Sequence, residues 1–332
     1  MKITVAGSGA WGTALAICLC NNGHEVTLWS HNPDKAAAMD KERINPSLKG
    51  VVLPEALKVS GDAACIEESS MVVVASPSFA IRGVCRSIKP HLRDDVVLVS
   101  VTKGIEPGSL LRMSQIVEAE TGKTVVALTG PSHAEEVSRG VPTAVVAACP
   151  DKEKAELVQD AFISDNFRVY TSPDIVGAEL GGAVKNVIAL CAGVVDGMGC
   201  GDNTKAMLMT RGLTEMARLG VSLGATKESF SGLSGVGDLI VTCTSQHSRN
   251  NRAGRLIGSG LSVAEAMEKS GGVVEGYYAA KSVWELAKKQ NVDMPIINAA
   301  YSVLYENHDT QDVITLLMQR RRKAESEDLG WL

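Results

Sequence analysis

Residues 3–17 read ITVAGSGAWGTALAI, and this stretch decides the first half of the fold. A β-branched run, Ile3-Thr4-Val5, ends in Gly7-Ser8-Gly9-Ala10-Trp11-Gly12 and passes at once into Thr13-Ala14-Leu15-Ala16-Ile17, a helix-forming run. A GxGxxG string alone says little; between a strand and a helix it has a physical rationale. Gly7 permits the tight turn, Gly9 lets the backbone approach a pyrophosphate, and Gly12 lets the helix pack closely on the strand. The first amides of the helix then face the phosphates. The plainer reading is a glycine turn that binds nothing.

Moving outward, residues 26–29 form a second strand that ends near the adenosine ribose. NAD-preferring folds place an acidic residue there, about 20 positions beyond the glycines. Ser30, His31 and Asn32 stand there instead, and Asp34 starts the next helix. The missing carboxylate admits NADP(H) as well as NAD(H), with His31 either beside the adenosine or simply an exposed loop histidine. Residues 45–61 carry prolines and glycines and read as a surface connection. Compact apolar runs at 71–75, 96–101 and 125–128 suit strands buried on both faces, with helices at 80–88 and 110–120 between them. This alternation predicts a Rossmann-like, doubly wound parallel sheet.

Ligands of such sheets bind beyond the carboxyl ends of the strands. Three segments lie there: Ser76-Pro77-Ser78, Thr102-Lys103-Gly104 and Gly130-Pro131-Ser132-His133-Ala134. Lys103 can reach a phosphate or a reacting oxygen from that position. His133, one residue past the turn, is read as packing beside the cofactor rather than as a base.

Two further strands, 144–149 and 167–172, precede a change of composition. From Pro173 the chain reads as helices: the segment 177–197, GAELGGAVKNVIALCAGVVDG, then 206–219, a turn through Gly235-Val236-Gly237-Asp238, 251–257, 263–269, 277–289 and 295–306. The expected organisation is a cofactor-binding domain over residues 1–172 and an all-helical substrate domain over 173–332. Within 177–197, Lys185 sits among Val184, Val187 and Ile188. Burial disfavours an ammonium, so this lysine either snorkels to water or has a partner and a task.

The whole chain bounds these readings. Its 332 residues are 45% hydrophobic with 11 prolines, which suits a folded globular protein of two domains, and a net charge of -5 gives no general attraction to nucleic acid or acidic membranes. The start shows no signal-peptide pattern, and Lys185 and Asp196 interrupt the longest apolar stretch, so a cytoplasmic protein without a membrane span is expected. Eight cysteines lie scattered without metal-ligand spacing, so no metal site is expected and they read as reduced core residues. A homodimer is the base-rate assembly. The basic run Arg320-Arg321-Arg322-Lys323, followed by Glu325, Glu327 and Asp328, reads as a solvated helix end rather than a nucleic-acid patch.

A second cluster lies at residues 231–250, SGLSGVGDLIVTCTSQHSRN. Ser248, Arg249 and Asn250 open a helix, so amides, a guanidinium and a carboxamide can converge on one anion; the alternative is a hydroxyl N-cap with surface arginines. Asp238 either tunes a neighbouring lysine or caps the element that follows.

Taken together, the GSGAWGTALA start, TKG, GPSHAEE, GGAVKNV, GLSGVGDL, TCTSQHSRN and GGVVEGY resemble the bacterial-type NAD(P)-dependent glycerol-3-phosphate dehydrogenases, in order from position 7 to 277. The resemblance implies interconversion of sn-glycerol 3-phosphate and dihydroxyacetone phosphate, a reaction that supplies the phospholipid backbone. It places Lys185 as the proton-transferring residue, with Lys103 and Asp238 beside it. It implies substrate contacts at Lys103, Gly130, Ser132, Lys185, Asp238, Ser248, Arg249 and Asn250. Cofactor contacts fall on Ala10, Trp11, His31, Lys103, Ala134, Arg249, Val273 and Glu275, in addition to Gly7, Gly9 and Gly12. His31 stands where arginine is frequent in the family. Another Rossmann dehydrogenase acting on a hydroxy acid or sugar acid is the alternative; its substrate would carry a carboxylate in place of the phosphate.

Overall fold

The apolar runs pair into one eight-stranded sheet in the computed structural model, which describes residues 1–322, 324 and 325. The strands are β1 (Lys2–Ala6), β2 (Glu25–Trp29), β3 (Lys58–Ser60), β4 (Met71–Val74), β5 (Val97–Ser100), β6 (Val125–Thr129), β7 (Thr143–Ala148) and β8 (Phe167–Ser172). Their spatial order is β3-β2-β1-β4-β5-β6-β7-β8. From β3 to β6 every pair is parallel, with Ala6 of β1 opposite both Trp29 of β2 and Val74 of β4. β4, β5 and β6 are buried along their whole length, which explains why they read as unbroken apolar runs. The strand order reverses between β1 and β4, and the crevice of an open sheet forms at such a point.

Two features depart from the expected sheet. β3 lies inside the stretch read as a surface connection; only three residues long and not fully buried, it carries too little apolar pattern to stand out. β7 runs antiparallel to β6, with Ala127 opposite Ala148, and β8 then runs parallel to β7. A parallel return needs a full crossover, usually a helix. Between Thr129 and Thr143 the chain forms only the short helix Ala134–Val137, so it comes back the other way. The edge strand β8 alternates buried and exposed residues at its start.

Beyond the sheet the long helix Ile175–Gly197 runs through the middle of the second half, with Asp174 capping it by accepting the amide of Gly177 at 2.8 Å. The helix Arg249–Gly258 crosses it at very close range. A Cβ on Gly193 would come 2.1 Å from the carbonyl oxygen of Asn251, and one on Gly254 would come 2.0 Å from that of Leu190. The helices Asp202–Ser222, Val263–Lys269, Glu275–Lys289 and Pro295–Glu306 complete the packing, and Ile188, Leu190, Leu219, Phe230 and Met294 lie in its core. Thr310–Met318 adds a helix that the residue pattern does not indicate. Ile175–Gly197 is long and apolar enough to cross a membrane by length and composition, but it is buried inside the protein. Of the basic and acidic tail, Arg320 and Arg321 are exposed, whereas Lys323, Glu327 and Asp328 lie outside the described residues.

Candidate active site

The three glycines of the first turn meet the demands their spacing implies. Gly7 has φ +135° and lies so close to Ala75 that a Cβ would come 2.1 Å from its carbonyl oxygen. Gly12 faces the Gly7 carbonyl, where a Cβ would sit at 2.0 Å, while a Cβ on Gly9 would meet nothing within 4 Å. The turn is thus tight at both ends and open in the middle, which leaves room for a phosphate over the start of the helix Ala10–Asn21. Lys35, whose role is not legible in the sequence, braces this turn: its ammonium donates to the Ser8 carbonyl at 2.7 Å, as does the Asn45 amide at 3.0 Å. His31 is exposed after β2, three strands along the sheet from β5, which Lys103 follows.

At the other end of the crevice three charged side chains from different segments converge. Lys103 follows β5, Lys185 lies midway along Ile175–Gly197, and Asp238 opens the helix Asp238–Thr244. One oxygen of Asp238 accepts from Lys103 Nζ at 2.7 Å and the other accepts from Lys185 Nζ. Lys103 also donates to the Gly130 carbonyl at 3.1 Å, and Ser132 Oγ donates to the same carbonyl at 2.9 Å. Lys185 also donates to Thr242 Oγ1 at 2.7 Å, and the Thr242 hydroxyl donates to the Asp238 carbonyl at 2.6 Å. Asp238 is only 1% exposed and Lys185 5%.

Burial dominates the ionisation of Lys185. Loss of water pulls its pKa down to about 8, Asp238 opposes the shift, and Lys103 adds to it. The lysine therefore does not snorkel; it is buried and paired, and it gives up its proton more readily than an exposed lysine. Asp238 reaches its position through a π-helical turn, Leu233–Gly237, where the sequence suggested a simple turn. Gly235 explains the shape: it lies against the Phe230 backbone, and a Cβ would come 2.1 Å from that carbonyl.

The Ser248-Arg249-Asn250 segment does open a helix, but its side chains divide their roles. Ser248 is the N-cap and accepts from the Asn251 amide at 3.2 Å. Asn250 is buried, donating to Asn186 Oδ1 and accepting from the Gly276 amide, each at 2.9 Å. Arg249 is exposed, with its guanidinium against Gly272. Sequence reasoning missed Asn186, next to Lys185, although a second polar residue on an apolar helix is itself a signal.

Glu275 lies where the two halves meet. The Glu275 carboxylate accepts from Ser78 Oγ at 2.6 Å and from the Ser78 amide at 3.3 Å, and burial raises its pKa while Ser78 and Arg249 pull it back. Val273 is half-buried beside it, and Ala134 is buried at the start of its short helix. His133 faces His247 with ring centres 5.8 Å apart, and burial, then Lys185, lowers its pKa. Trp11 Nε1, Ser76 Oγ, Thr129 Oγ1 and His133 Nε2 are buried without a hydrogen-bond partner among the described residues. Trp11 belongs to the glycine turn and the other three follow or end strands at this crevice. Together with the open face at Gly9 they suit a large polar ligand. Among the described residues no group of three metal-ligating side chains occurs.

Comparison with known proteins places the chain in a family. Residues 2–155 match the NAD-dependent glycerol-3-phosphate dehydrogenase N-terminus and residues 174–315 match the C-terminus of the same family. A glycerol-3-phosphate dehydrogenase [NAD(P)+] of Listeria innocua is 47% identical over 98% of both chains, and one of Oceanobacillus iheyensis is 49% identical over 100% of this chain and 97% of its own. The crystal structure of glycerol-3-phosphate dehydrogenase from Coxiella burnetii superposes with a TM-score of 0.92 at 37% identity, covering 96% of this chain and 99% of that one. The chain belongs to the NAD-dependent glycerol-3-phosphate dehydrogenase family.

Proposed function

We propose that this chain interconverts sn-glycerol 3-phosphate and dihydroxyacetone phosphate with Lys185 as the residue that moves the proton. The observation that carries the reading is a buried lysine with its pKa near 8, sharing one carboxylate with a second lysine at the ligand-binding edge of the sheet. NAD(P)H, when bound, supplies the hydride. Gly7, Gly9, Ala10, Trp11 and Gly12 would hold its pyrophosphate region, and His31, Lys103, Ala134, Arg249, Val273 and Glu275 the rest.

During oxidation, Lys185 as the amine takes the hydroxyl proton from the substrate's C2 oxygen; during reduction the ammonium returns it. An ammonium has three N–H donors, and Asp238 and Thr242 engage two, which leaves one for a substrate oxygen. Lys103 likewise keeps one donor beyond Asp238 and Gly130. Arg249 and the first amides of its helix would hold the substrate phosphate, Ser248 and Asn250 fixing that helix end, so remote binding energy orients the reacting carbon. We place the boundary between the cofactor and substrate halves at residues 172 and 173. We take the cytoplasm as the site of action, supported by eight free cysteines, and glycerol 3-phosphate for phospholipid synthesis as the product.

The decisive experiment follows NADPH and NADH oxidation with dihydroxyacetone phosphate, for the wild-type chain and Lys185→Ala. Turnover should fall by about 10²–10⁴-fold in the variant while cofactor binding is retained. An active variant removes Lys185 from proton transfer, and a wild-type chain that binds nucleotide but turns over neither cofactor sinks the substrate assignment.

A further inference from the structure

Among the described residues, three side-chain ties join the sheet-bearing half to the helical half near the site. Two of them, Lys103 to Asp238 and Ser78 to Glu275, belong to the chemistry and the cofactor contacts already described. The third involves none of those residues. Glu179, about two turns before Lys185 on the same helix, is 7% exposed and buries its carboxylate against the start of the Met113–Thr121 helix. One oxygen accepts the Ser114 amide at 2.7 Å; the other accepts Ser114 Oγ at 2.6 Å and the guanidinium of Arg112. The Arg112 guanidinium also donates to Ser114 Oγ at 3.0 Å. A carboxylate from one half thus caps a helix of the other, with a cation beside it.

This clamp shares its helix with the reacting lysine. Gly182, one turn beyond Glu179, packs against the sheet half so closely that a Cβ would sit 3.1 Å from Thr129 Oγ1 and 3.4 Å from Lys103 Cγ. Lys185 comes three residues later. At 1.5 Å rise per residue, about 9 Å of rigid helix separates the clamp from the reacting lysine. A shift at Glu179 is therefore transmitted along the helix to the lysine. A misplacement of about 1 Å in such a site costs on the order of 100-fold in rate.

We propose that Glu179 is a positioning residue for the reaction: its clamp on Ser114 and Arg112 sets the register in which the Lys185 helix crosses the end of the sheet, and thereby the alignment of Lys185 with the substrate oxygen. The inference rests on Lys185 as the proton carrier. Glu179→Gln keeps the shape and an acceptor for the Ser114 amide but removes the charge facing Arg112. In the full-length protein, kcat should fall by about 10–100-fold, with KM for dihydroxyacetone phosphate and Kd for the cofactor within about twofold of wild type. The isotope effect on kcat, measured with cofactor deuterated at the transferred hydrogen, should rise as hydride transfer becomes slower than release.

A folded Glu179→Gln protein with wild-type kcat and an unchanged isotope effect overturns the proposal, whatever its melting temperature, because a purely structural tie would alter stability alone. If that variant does not fold, Ser114→Ala removes the two hydroxyl hydrogen bonds of the clamp and leaves the amide one; a several-fold loss in kcat with a raised isotope effect supports the proposal, and wild-type kinetics overturn it. Wild type and Lys185→Ala run alongside. An active Lys185→Ala protein defeats the underlying assignment, whereas a dead Lys185→Ala beside an unaltered Glu179→Gln defeats the clamp alone.

Discussion

Asp238 and Glu215 are both carboxylates buried in the helical half, 1% and 5% exposed. Asp238 lies between two ammonium groups, one oxygen to each. Glu215 instead accepts the amides of Ile296, at 2.8 Å, and Ile297, at 3.3 Å, at the start of the Pro295–Glu306 helix. Those amides and Arg218 do not offset its burial, which pushes its pKa up to about 7. Two buried acids of similar exposure thus have different partners: two cations hold one in an ion network, the proton-transfer site proposed above, while backbone dipoles use the other to fasten a helix at a cost in charge burial.

The contrast can be broken most forcefully at Asp238. Asp238→Asn leaves Lys185 and Lys103 facing each other without the anion that holds the Lys185 pKa up, so the Lys185 ammonium should lose its proton at lower pH. Oxidation needs the amine, and the acid limb of its pH–rate profile should move below the wild-type position near 8. Activity should drop by about 10²–10³-fold as alignment is lost. A profile with its limb unmoved would show that Asp238 does not tune Lys185.

Glu215→Gln tests the other side and should act on stability rather than rate. A carboxyl with pKa about 7 folded and about 4.3 unfolded holds its proton longer in the folded state, so its contribution falls as pH rises through that window. The loss is complete above the folded value and is on the order of 3–4 kcal/mol. Denaturant melts at pH 5 and pH 8 should show the glutamine variant gaining on wild type as pH rises, and parallel curves would refute the assignment. The smallest effect is expected at Thr242→Val, which takes one hydrogen bond from Lys185. A loss of about 1 kcal/mol, or several-fold in kcat, is the expected scale. A loss as large as that of Asp238→Asn would promote the hydroxyl from support to participant.

Much of this contrast was legible in the residues, but unevenly. Lys185 announced itself as a charge in an apolar helix, and Gly7, Gly9 and Gly12 announced a turn whose geometry each satisfies. Lys103 and Asp238 were legible as candidates from their places after a strand and after a glycine turn; that they share one ion network depends on tertiary packing. Glu179 and Asn186 went unassigned for the same reason: each is a polar residue on an apolar helix, but its partner lies 65 or 64 positions away. The antiparallel β7 was missed because its residues look like those of any buried strand, and direction resides in the connection. The Ser248-Arg249-Asn250 cluster read as one clamp because spacing along a chain cannot tell which side chains already have partners.

The long buried helix also bears on how the chain is made. Residues 175–197 emerge from the ribosome well before the helix Arg249–Gly258 that will cover them. For that interval the nascent chain exposes a segment with the length and composition of a membrane span. A lysine at the centre of such a segment costs about 2.5–3.5 kcal/mol during insertion through a translocon. Lys185 occupies that centre, so the residue to which we assign proton transfer also makes the helix a poor substrate for the membrane-insertion machinery.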